Sequence, residues 1–141
     1  MKTISEFQGE YRWLSNFWPC KGLEGPTVEH CYQAKKALYP DSAFLILKAK
    51  TPGEAKRLAR TFVMKLMSIE RRLEIMNDLL KVKFGNKNPL LQAKLLDTNF
   101  YWLEEGNKWH DSFWGICHCG KCPGGENNLG KLLMRIRDSL R

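Results

Sequence analysis

The chain has 141 residues, of which 43% are hydrophobic and 27% are charged, so it is long enough to bury a core and does not have the composition of a disordered segment. No apolar run approaches the length of a membrane span, and no apolar leader follows Met1-Lys2, which predicts a cytoplasmic protein without a membrane partner. The formal net charge of +8 favours polyanions as partners, with nucleic acid first and phosphorylated small molecules second.

The first segment combines a short strand with a run of aromatic residues. Residues 3–7 alternate in polarity and predict a strand, and residues 11–19 read Tyr-Arg-Trp-Leu-Ser-Asn-Phe-Trp-Pro. Aromatic rings beside serine and asparagine can hold a flat ring and hydrogen-bond a sugar or phosphate. The alternative is that Trp13, Phe17 and Trp18 fill the core, which we expect for most of them.

A helix that starts at Thr27 carries an unusual polar stripe. Thr27 follows Gly25-Pro26 as a capping residue, and no helix breaker appears before Pro40. Helical spacing of i, i+3, i+4 and i+7 predicts one stripe of Glu29, Tyr32, Gln33 and Lys36. The other face is apolar and predicts a contact with the core, through Val28, Cys31, Ala34, Ala37 and Leu38. The stripe is either a site for chemistry or an ordinary solvated helix face.

More helices follow, together with the densest basic region of the chain. A short apolar helix is predicted at residues 43–47, a helix starting at Thr51-Pro52-Gly53-Glu54, another from about Ser68 to Phe84, and one starting at Asn88-Pro89. Eight basic residues lie between positions 48 and 72 against two acids, at 48, 50, 56, 57, 60, 65, 71 and 72. This run is either a solvated surface or a track for a phosphate backbone.

The last third of the sequence contains a second candidate site. Residues 99–104 predict a strand and residues 106–108 a turn, after which Asp111 lies among His110, Trp109 and Trp114 in a loop-like stretch, which is typical of a functional site. A final helix is predicted at about 128–140. Its start follows Gly124-Gly125-Glu126-Asn127, whose backbone amides could receive a phosphate.

Five cysteines in a chain without an export signal favour reduced thiols or a metal over disulfides. Cys117, His118, Cys119 and Cys122 lie within six residues and could contribute to a tetrahedral zinc site, but a pair of Cys-x-x-Cys motifs is absent. The fourth ligand would be His118, or Cys20, Cys31 or His110 from farther away. We expect a reduced thiol loop without metal or cofactor.

Four groups of residues, in this order, resemble the NADAR family, also called YbiA-like, whose name refers to NAD and ADP-ribose. They are Leu14-Ser15-Asn16-Phe17; Thr27-Val28-Glu29-His30 with Tyr32-Gln33 and Lys36; Asp111 with Phe113-Trp114-Gly115; and Gly125 with Asn127, residues 129–134 and Arg137. The resemblance implies an α+β, predominantly helical fold with a few short strands, as a single domain over residues 1–141, which we expect to be a monomer.

The resemblance also implies an enzyme that cleaves N-glycosidic bonds. Some family members act on phosphoribosyl intermediates of riboflavin synthesis, and others remove ADP-ribose from guanine in DNA and thereby reverse a toxin's modification. By resemblance, Glu29 and Lys36 are catalytic, and the ligand is held by Ser15, Asn16, Phe17, Tyr32, Gln33, Asp111, Trp114, Gly125 and Asn127. Many relatives carry tryptophan near the position of Ser68, which argues against the riboflavin-type substrate here.

Three functions remain open from the sequence. The first is a hydrolase that releases ADP-ribose from guanine in DNA, as a repair or antitoxin-like activity, and the net charge favours it. The second is a small-molecule N-glycosidase, and the third is a module that binds ADP-ribose without cleaving it. For the enzymes, the expected mechanism is a Schiff base between Lys36 and ribose C1, with Glu29 transferring the proton.

Overall fold

The computed structural model describes residues 2–141, which form a mostly helical α+β fold. The helices are α1 (Val28–Lys36), α2 (Pro40–Leu47), α3 (Pro52–Ala59), α4 (Ile69–Lys83), α5 (Pro89–Asp97) and α6 (Asn128–Ser139), with a 3-10 helix at Gly9–Leu14. The strands each have two residues: β1 (Thr3–Ile4), β2 (Trp102–Leu103), β3 (Gly106–Asn107) and β4 (Ile116–Cys117). The predicted fold class is confirmed.

Two compact units share the chain. The terminal unit comprises residues 2–15 and 90–141, and the middle unit comprises residues 16–89. The terminal unit contains the four strands, and the middle unit contains α1 to α4. The expectation of one domain over the whole chain stays a prediction.

Helix α1 is the centre of the middle unit and packs against α2, α3 and α4. Thr27 caps it as predicted, because its Oγ1 accepts a hydrogen bond from the backbone N–H of His30 at 3.1 Å. The helix ends where Ala37 turns to an extended conformation and forms a β-bridge with Met64. Small residues let the neighbouring helices approach α1 closely, in a cluster of Ala34, Ala37, Ile46, Ala55 and Ala59.

The caps of the next two long helices are also as predicted. Thr51 Oγ1 accepts from the N–H of Glu54 at the start of α3, and Ser68 Oγ accepts from the N–H of Arg71 at the start of α4, each at 3.1 Å. On α4 the predicted apolar side is buried at Met76, Leu80 and Phe84, whereas Ile69 is exposed.

The terminal unit is built on two short parallel pairings. Thr3 and Ile4 pair with Trp102 and Leu103, and β3 pairs with β4. Helix α6 packs against β2, and Gly130 makes this approach possible, because a Cβ at that position would lie 2.1 Å from the carbonyl oxygen of Leu103.

Several local predictions are wrong. The strands predicted at 3–7 and 99–104 cover only two residues each, and the turn predicted at 106–108 contains strand β3. Leu38, placed on the buried face of α1, is 44% exposed. These positions depend on pairing with distant segments, which local patterns do not contain. No helix in residues 2–141 combines the length and apolar character that are needed to cross a bilayer.

Candidate functional site

Glu29 and Gln33 form the buried end of the polar stripe on α1. Each is 7% exposed, and the Gln33 side-chain amide donates to Glu29 Oε1 at 3.4 Å. A carboxylate is rarely held this far from water unless it is bonded or has a function. The stripe is therefore polar yet not solvated, which rules out the interpretation as an ordinary exposed helix face.

Tyr32 and Lys36 are the other two residues of the polar stripe. Tyr32 is buried and Lys36 is partly buried, with Nζ of Lys36 4.7 Å from the centre of the Tyr32 ring. Side chains on a helix lean toward its N-terminus, and the Lys36 amine accordingly extends back along α1 toward Glu29. The backbones of Lys36 and Glu29 are two helical turns apart. Because the Lys36 side chain extends toward Glu29, the amine lies closer to the carboxylate than the backbone spacing suggests.

The surroundings of Lys36 make its amine less basic than that of an ordinary lysine. Burial lowers the pKa of Lys36 from its ordinary value, and the positive charges of Arg72 and Lys56 lower it further, against the opposing effect of Glu29. An uncharged lysine amine is a nucleophile, whereas the ammonium form is not. The structure thus gives the predicted nucleophile the electrostatic setting that this role requires.

Arg72 and Lys56 were not predicted as site residues. Both belong to the basic run between positions 48 and 72, but nothing in the local sequence indicates that α3 and α4 bring these two members near Lys36. One sequence signal could have indicated Arg72 and Lys56. The polar stripe of α1 includes a carboxylate, and the basic run between positions 48 and 72 contains cations that could lie beside it.

Two other lysines clarify why Lys36 is the candidate. Lys35 is exposed and lies 3.6 Å from Glu24, in a surface ion pair. Lys83 is fully buried and burial lowers its pKa to about 7, but its side chain is inaccessible to a substrate. Lys36 alone of these three combines a lowered pKa with partial exposure.

Asn16 and Phe17 lie in the same unit as α1. The carbonyl oxygen of Asn16 accepts from the backbone N–H of Glu29 at 3.1 Å, which ties the aromatic segment to the start of the helix. Asn16 Nδ2 contacts Met76 Sδ at 3.6 Å, while its Oδ1 is buried without a hydrogen-bond partner among residues 2–141. Phe17 is 43% exposed, in contrast to the buried Trp13. Phe17 is therefore not a core residue, and its exposed ring suits a ligand contact.

The remaining predicted residues belong to the terminal unit. Ser15 closes the 3-10 helix, with its N–H donating to the carbonyl of Arg12. Asp111 Oδ1 accepts from the backbone N–H groups of Phe113 and Trp114, at 3.2 and 2.8 Å, and this turn fixes the partly buried Trp114. The rings of Phe113 and Trp114 pack edge to face, with centroids 4.7 Å apart. The visible role of Asp111 is thus to position Trp114.

The start of α6 differs from the expected phosphate cradle. The N–H groups of residues 126–129 already donate to carbonyl oxygens of the segment 112–115. The amides of Glu126 and Asn127 therefore have protein acceptors and do not form the predicted cradle, whereas a phosphate contact of Gly124 or Gly125 stays a prediction. Asn127 is buried, and its side chain donates to the Leu103 carbonyl at 2.9 Å and accepts from the Glu105 N–H at 3.0 Å. This role is structural, and direct ligand contacts of Asn127 and of the exposed Gly125 stay predictions.

Metal-ligating side chains come together at one place in the terminal unit. His110, Cys117, Cys119 and Cys122 each offer one atom, and these four atoms lie within 4.8 Å of one another. Hydrogen bonds from the backbone N–H of Lys121, from Cys117 and from the N–H of Cys122 lower the pKa of the Cys119 thiol to about 6. We call these four residues the thiol–imidazole cluster.

Comparisons with known proteins identify a matching family and several relatives. The family model of the NADAR domain matches residues 4–141. An N-glycosidase of Nostoc punctiforme is 36% identical over 140 residues, covering 93% of this chain and 86% of that protein. A riboflavin biosynthesis protein of Vibrio vulnificus is 31% identical over 134 residues, which is 91% of this chain but only 35% of the length of that protein.

A solved structure extends the similarity to the fold. The N-glycosidase YbiA of Escherichia coli K12 is 34% identical over 137 residues, covering 93% of this chain and 82% of YbiA. Its NMR structure matches with a TM-score of 0.82 and 31% identity, over 99% of this chain and 86% of that one. With a family model that spans almost every residue and relatives of this similarity, the chain belongs to the NADAR domain family.

Proposed function

We propose that the protein is an N-glycosidase that cleaves the bond between C1 of a ribose and a nitrogen of a base, with Lys36 as nucleophile and Glu29 as proton carrier. The observation that carries the proposal is the polar stripe on α1, where a buried carboxylate and an amine of lowered pKa lie on one helix face. The names of the Nostoc and Escherichia relatives as N-glycosidases support the reaction class.

In the first step, the neutral amine of Lys36 forms a bond to C1 while the C1–N bond to the base breaks. The bonding electron pair leaves with the base nitrogen. The new C1–ammonium group loses a proton to the Glu29 carboxylate, and Glu29 delivers that proton to the departing base. The charge that develops on the base is neutralised by this transfer, and the base leaves in its protonated form.

In the second step, the ribosyl group is released from the enzyme. The ring oxygen takes a proton from solvent and the ring opens, which leaves a protonated Schiff base between C1 and the Lys36 nitrogen. Water adds to C1, the bond from C1 to the Lys36 nitrogen breaks, and one proton returns to solvent. The sugar leaves as the aldehyde, which closes again to the ring. The net reaction consumes one water and restores both Lys36 and Glu29 to their starting states.

Other predicted residues have supporting roles. Gln33 orients Glu29 through its amide, and the Tyr32 ring holds the amine of Lys36 in place. Phe17 offers its exposed ring to the ligand, and a ligand contact of Asn16 stays a prediction. Ser15, Trp114, Gly125 and Asn127 belong to the terminal unit, and their ligand contacts stay predictions of the family resemblance. Stacking of a base on a tryptophan ring would be worth about 1 to 3 kcal/mol per base in single-strand binders.

For the substrate, we propose ADP-ribose attached to guanine in DNA. The formal charge of +8 favours a polyanion, and the basic run of the middle unit is largely exposed at Lys48, Lys50, Arg57, Arg60, Lys65 and Arg71. A phosphate backbone would gain from these cations, whereas a single phosphoribosyl group would use only one or two of them.

A second candidate is a phosphoribosyl intermediate of riboflavin synthesis. The name of the Vibrio relative as a riboflavin biosynthesis protein favours it. Against it, the family resemblance implies a tryptophan near position 68, whereas this chain has Ser68, which is the exposed cap of α4. This candidate needs the polar stripe but not the basic run.

The test is a parallel assay of both substrates. We expect the protein to release ADP-ribose from guanine-modified DNA faster than it cleaves phosphoribosyl riboflavin precursors, and we expect Lys36→Met to abolish release while it still binds modified DNA. Lys35→Met is the matched control and should keep full activity. Faster cleavage of the riboflavin precursor would favour the second candidate, and unchanged turnover of Lys36→Met would contradict the mechanism.

The same assay distinguishes a module that binds without cleaving. Such a module would bind ADP-ribose yet release nothing from either substrate, and its binding would not depend on Glu29 or Lys36.

A further inference from the structure

We propose that the thiol–imidazole cluster binds one zinc ion in a closed site with four protein ligands: Nδ1 of His110 and the Sγ atoms of Cys117, Cys119 and Cys122. The site lies wholly in the terminal unit and does not depend on the proposed function. It departs from our expectation of a thiol loop without metal, and it names as fourth ligand a histidine that precedes the cysteines by several residues.

The four ligand atoms lie within 4.8 Å of one another, and three of the six distances between them are close to those of a tetrahedral zinc site. Bonds of about 2.3 Å to sulfur and about 2.0 to 2.1 Å to nitrogen place neighbouring ligand atoms of a tetrahedron roughly 3.5 to 3.8 Å apart. The Sγ atoms of Cys119 and Cys122 are 3.5 Å apart, and His110 Nδ1 lies 3.3 Å from Cys122 Sγ and 3.8 Å from Cys117 Sγ. An ion could enter with little movement of the side chains.

The backbone is also shaped to present these ligands. Cys119-Gly120-Lys121-Cys122 is a single Cys-x-x-Cys turn in which Gly120 has a φ of 86°. The N–H groups of Lys121 and Cys122 donate to Cys119 Sγ at 3.3 and 3.4 Å, and such hydrogen bonds stabilise the negative charge of a metal-bound thiolate. His110 has a φ of 71°, which is unfavourable for a residue with a Cβ and directs its ring into the cluster.

Other arrangements of the same residues explain less. His118 was the nearer candidate in sequence, but its ring lies against Gly106, where an added Cβ would be 3.2 Å from it. A disulfide between Cys119 and Cys122 needs a sulfur–sulfur distance of about 2.05 Å and would leave Cys117 and His110 without a reason to converge. Three thiolates and one imidazole form a donor set that zinc prefers.

A zinc ion with four protein ligands has no position for substrate or reactive water, so its role would be structural. The ligands span residues 110–122, and this segment includes Asp111 and Trp114 as well as Cys117 of strand β4. The ion would therefore fix the loop whose turn positions Trp114. A chain of this size gains rigidity from such a link where the strands have only two residues.

Elemental analysis of the full chain, purified without chelator, tests the proposal. We expect one zinc per chain and its loss after treatment with a chelator. Cobalt added to the metal-free protein should then give the intense absorption of tetrahedral cobalt bound to thiolates. Cys31 is buried and should stay unreactive in the folded protein. Before chelation, a thiol reagent should therefore react only with the partly exposed Cys20, and after chelation with the three cluster cysteines as well.

Matched histidine variants show which imidazole is the ligand. His110→Ala should lose the equimolar zinc and the cobalt spectrum, while His118→Ala should keep both. If the metal-free chain gives no tetrahedral cobalt spectrum, or if the three cluster cysteines react at once without chelator, the proposal is overturned. Loss of the metal in His118→Ala but not in His110→Ala would likewise contradict it.

Discussion

Three physical effects act on the amine of Lys36. Removal from water disfavours its positive charge, as do the charges of Arg72 and Lys56, and Glu29 alone opposes them. The balance lowers its pKa, so a larger share of the amine is neutral at physiological pH than for an ordinary lysine. Because the proposed chemistry needs the neutral form, the rate should rise with pH until Lys36 has lost its proton.

The Arg72→Ala variant tests whether the Arg72 charge lowers the pKa of Lys36. Removing the Arg72 charge eliminates one of the effects that lower the Lys36 pKa, so the pKa of Lys36 should rise. The rising limb of the kcat/KM profile should move to higher pH. The variant should be slower near neutral pH and should approach the parent rate in alkaline buffer. Measured pH–rate profiles check both statements.

Arg71→Ala is the control for that experiment. Arg71 is the neighbouring residue on α4, but it is exposed, is paired with Glu74 and does not act on Lys36. Its profile should coincide with that of the parent protein. An Arg72→Ala profile that falls by the same factor at every pH would instead mean that Arg72 binds substrate and does not tune the amine.

The stripe on α1 could be predicted from the sequence, but its surroundings could not. Helical periodicity alone places Glu29, Gln33 and Lys36 on one face. Their burial and the approach of Arg72 depend on how α4 packs against α1, and residues so far apart in sequence leave no local signal of contact. The buried Asn127 was missed as a structural residue for the same reason.

At the scale of elements, the cap of α1 does more than start a helix. Thr27 Oγ1 accepts from the His30 N–H and also lies 2.8 Å from His30 Nδ1, while Nε2 of the same ring lies 2.9 Å from the Ala49 carbonyl. The carbonyl can only accept, so Nε2 carries a proton. Thr27 and Ala49 thus hold a fully buried imidazole between them.

We expect Thr27→Ala to destabilise the protein by about 2 to 4 kcal/mol. Loss of a cap costs about 1 kcal/mol, and leaving a buried ring nitrogen without its partner adds about 1 to 3 kcal/mol. Thr51→Ala is the matched control, since Thr51 caps α3 at the surface and has no such second partner. It should cost about 1 kcal/mol. Denaturant unfolding compares the two, and equal losses would contradict the role of His30.

Helix α6 gives a prediction about close packing. Gly130→Ala would put a Cβ 2.1 Å from the Leu103 carbonyl, and such overpacking costs about 1 to 3 kcal/mol. The control is Gly53→Ala. Gly53 lies in the first turn of α3, where an added Cβ would have no neighbouring atom closer than 3.6 Å, so the substitution should be neutral or stabilise the protein by up to about 1 kcal/mol. Thermal unfolding of both variants measures the difference, and a harmless Gly130→Ala would contradict the packing of α6 on β2.

Elements with local determinants were predictable, and those without were not. Thr27, Thr51 and Ser68 each carry their signal within four residues, and all three cap a helix. The strands have two residues each, and their partners lie about a hundred residues away for β1 and ten for β3. Which residues pair is decided by the packing of the terminal unit and not by alternation in a short run.

On the scale of the whole molecule, the charge of +8 favours the proposed DNA substrate over a small molecule, and salt dependence tests that preference. If DNA lies along the basic run, KM for modified DNA should rise steeply with salt, because binding releases counterions from the phosphates. KM for a phosphoribosyl compound should change little over the same range. Steady-state kinetics at several salt concentrations measure both, and a flat response with DNA would contradict the proposed polymer.

Charge-neutralising variants refine that measurement. Replacing the exposed Lys50, Arg57 and Arg60 with glutamine should reduce the salt dependence with DNA and leave the small substrate unaffected. These residues lie outside the polar stripe, so the chemistry itself should be unchanged.

Reductive trapping tests whether Lys36 becomes covalently attached to the sugar, as the proposed mechanism requires. Borohydride added during turnover reduces the Schiff base between C1 and the lysine nitrogen to a stable secondary amine, which peptide mass spectrometry can locate. We predict one ribosyl adduct, on Lys36, that persists in Lys35→Ala and disappears in Lys36→Ala. Continued turnover without any adduct, or an adduct on a different lysine, would contradict the role of Lys36 as the nucleophile.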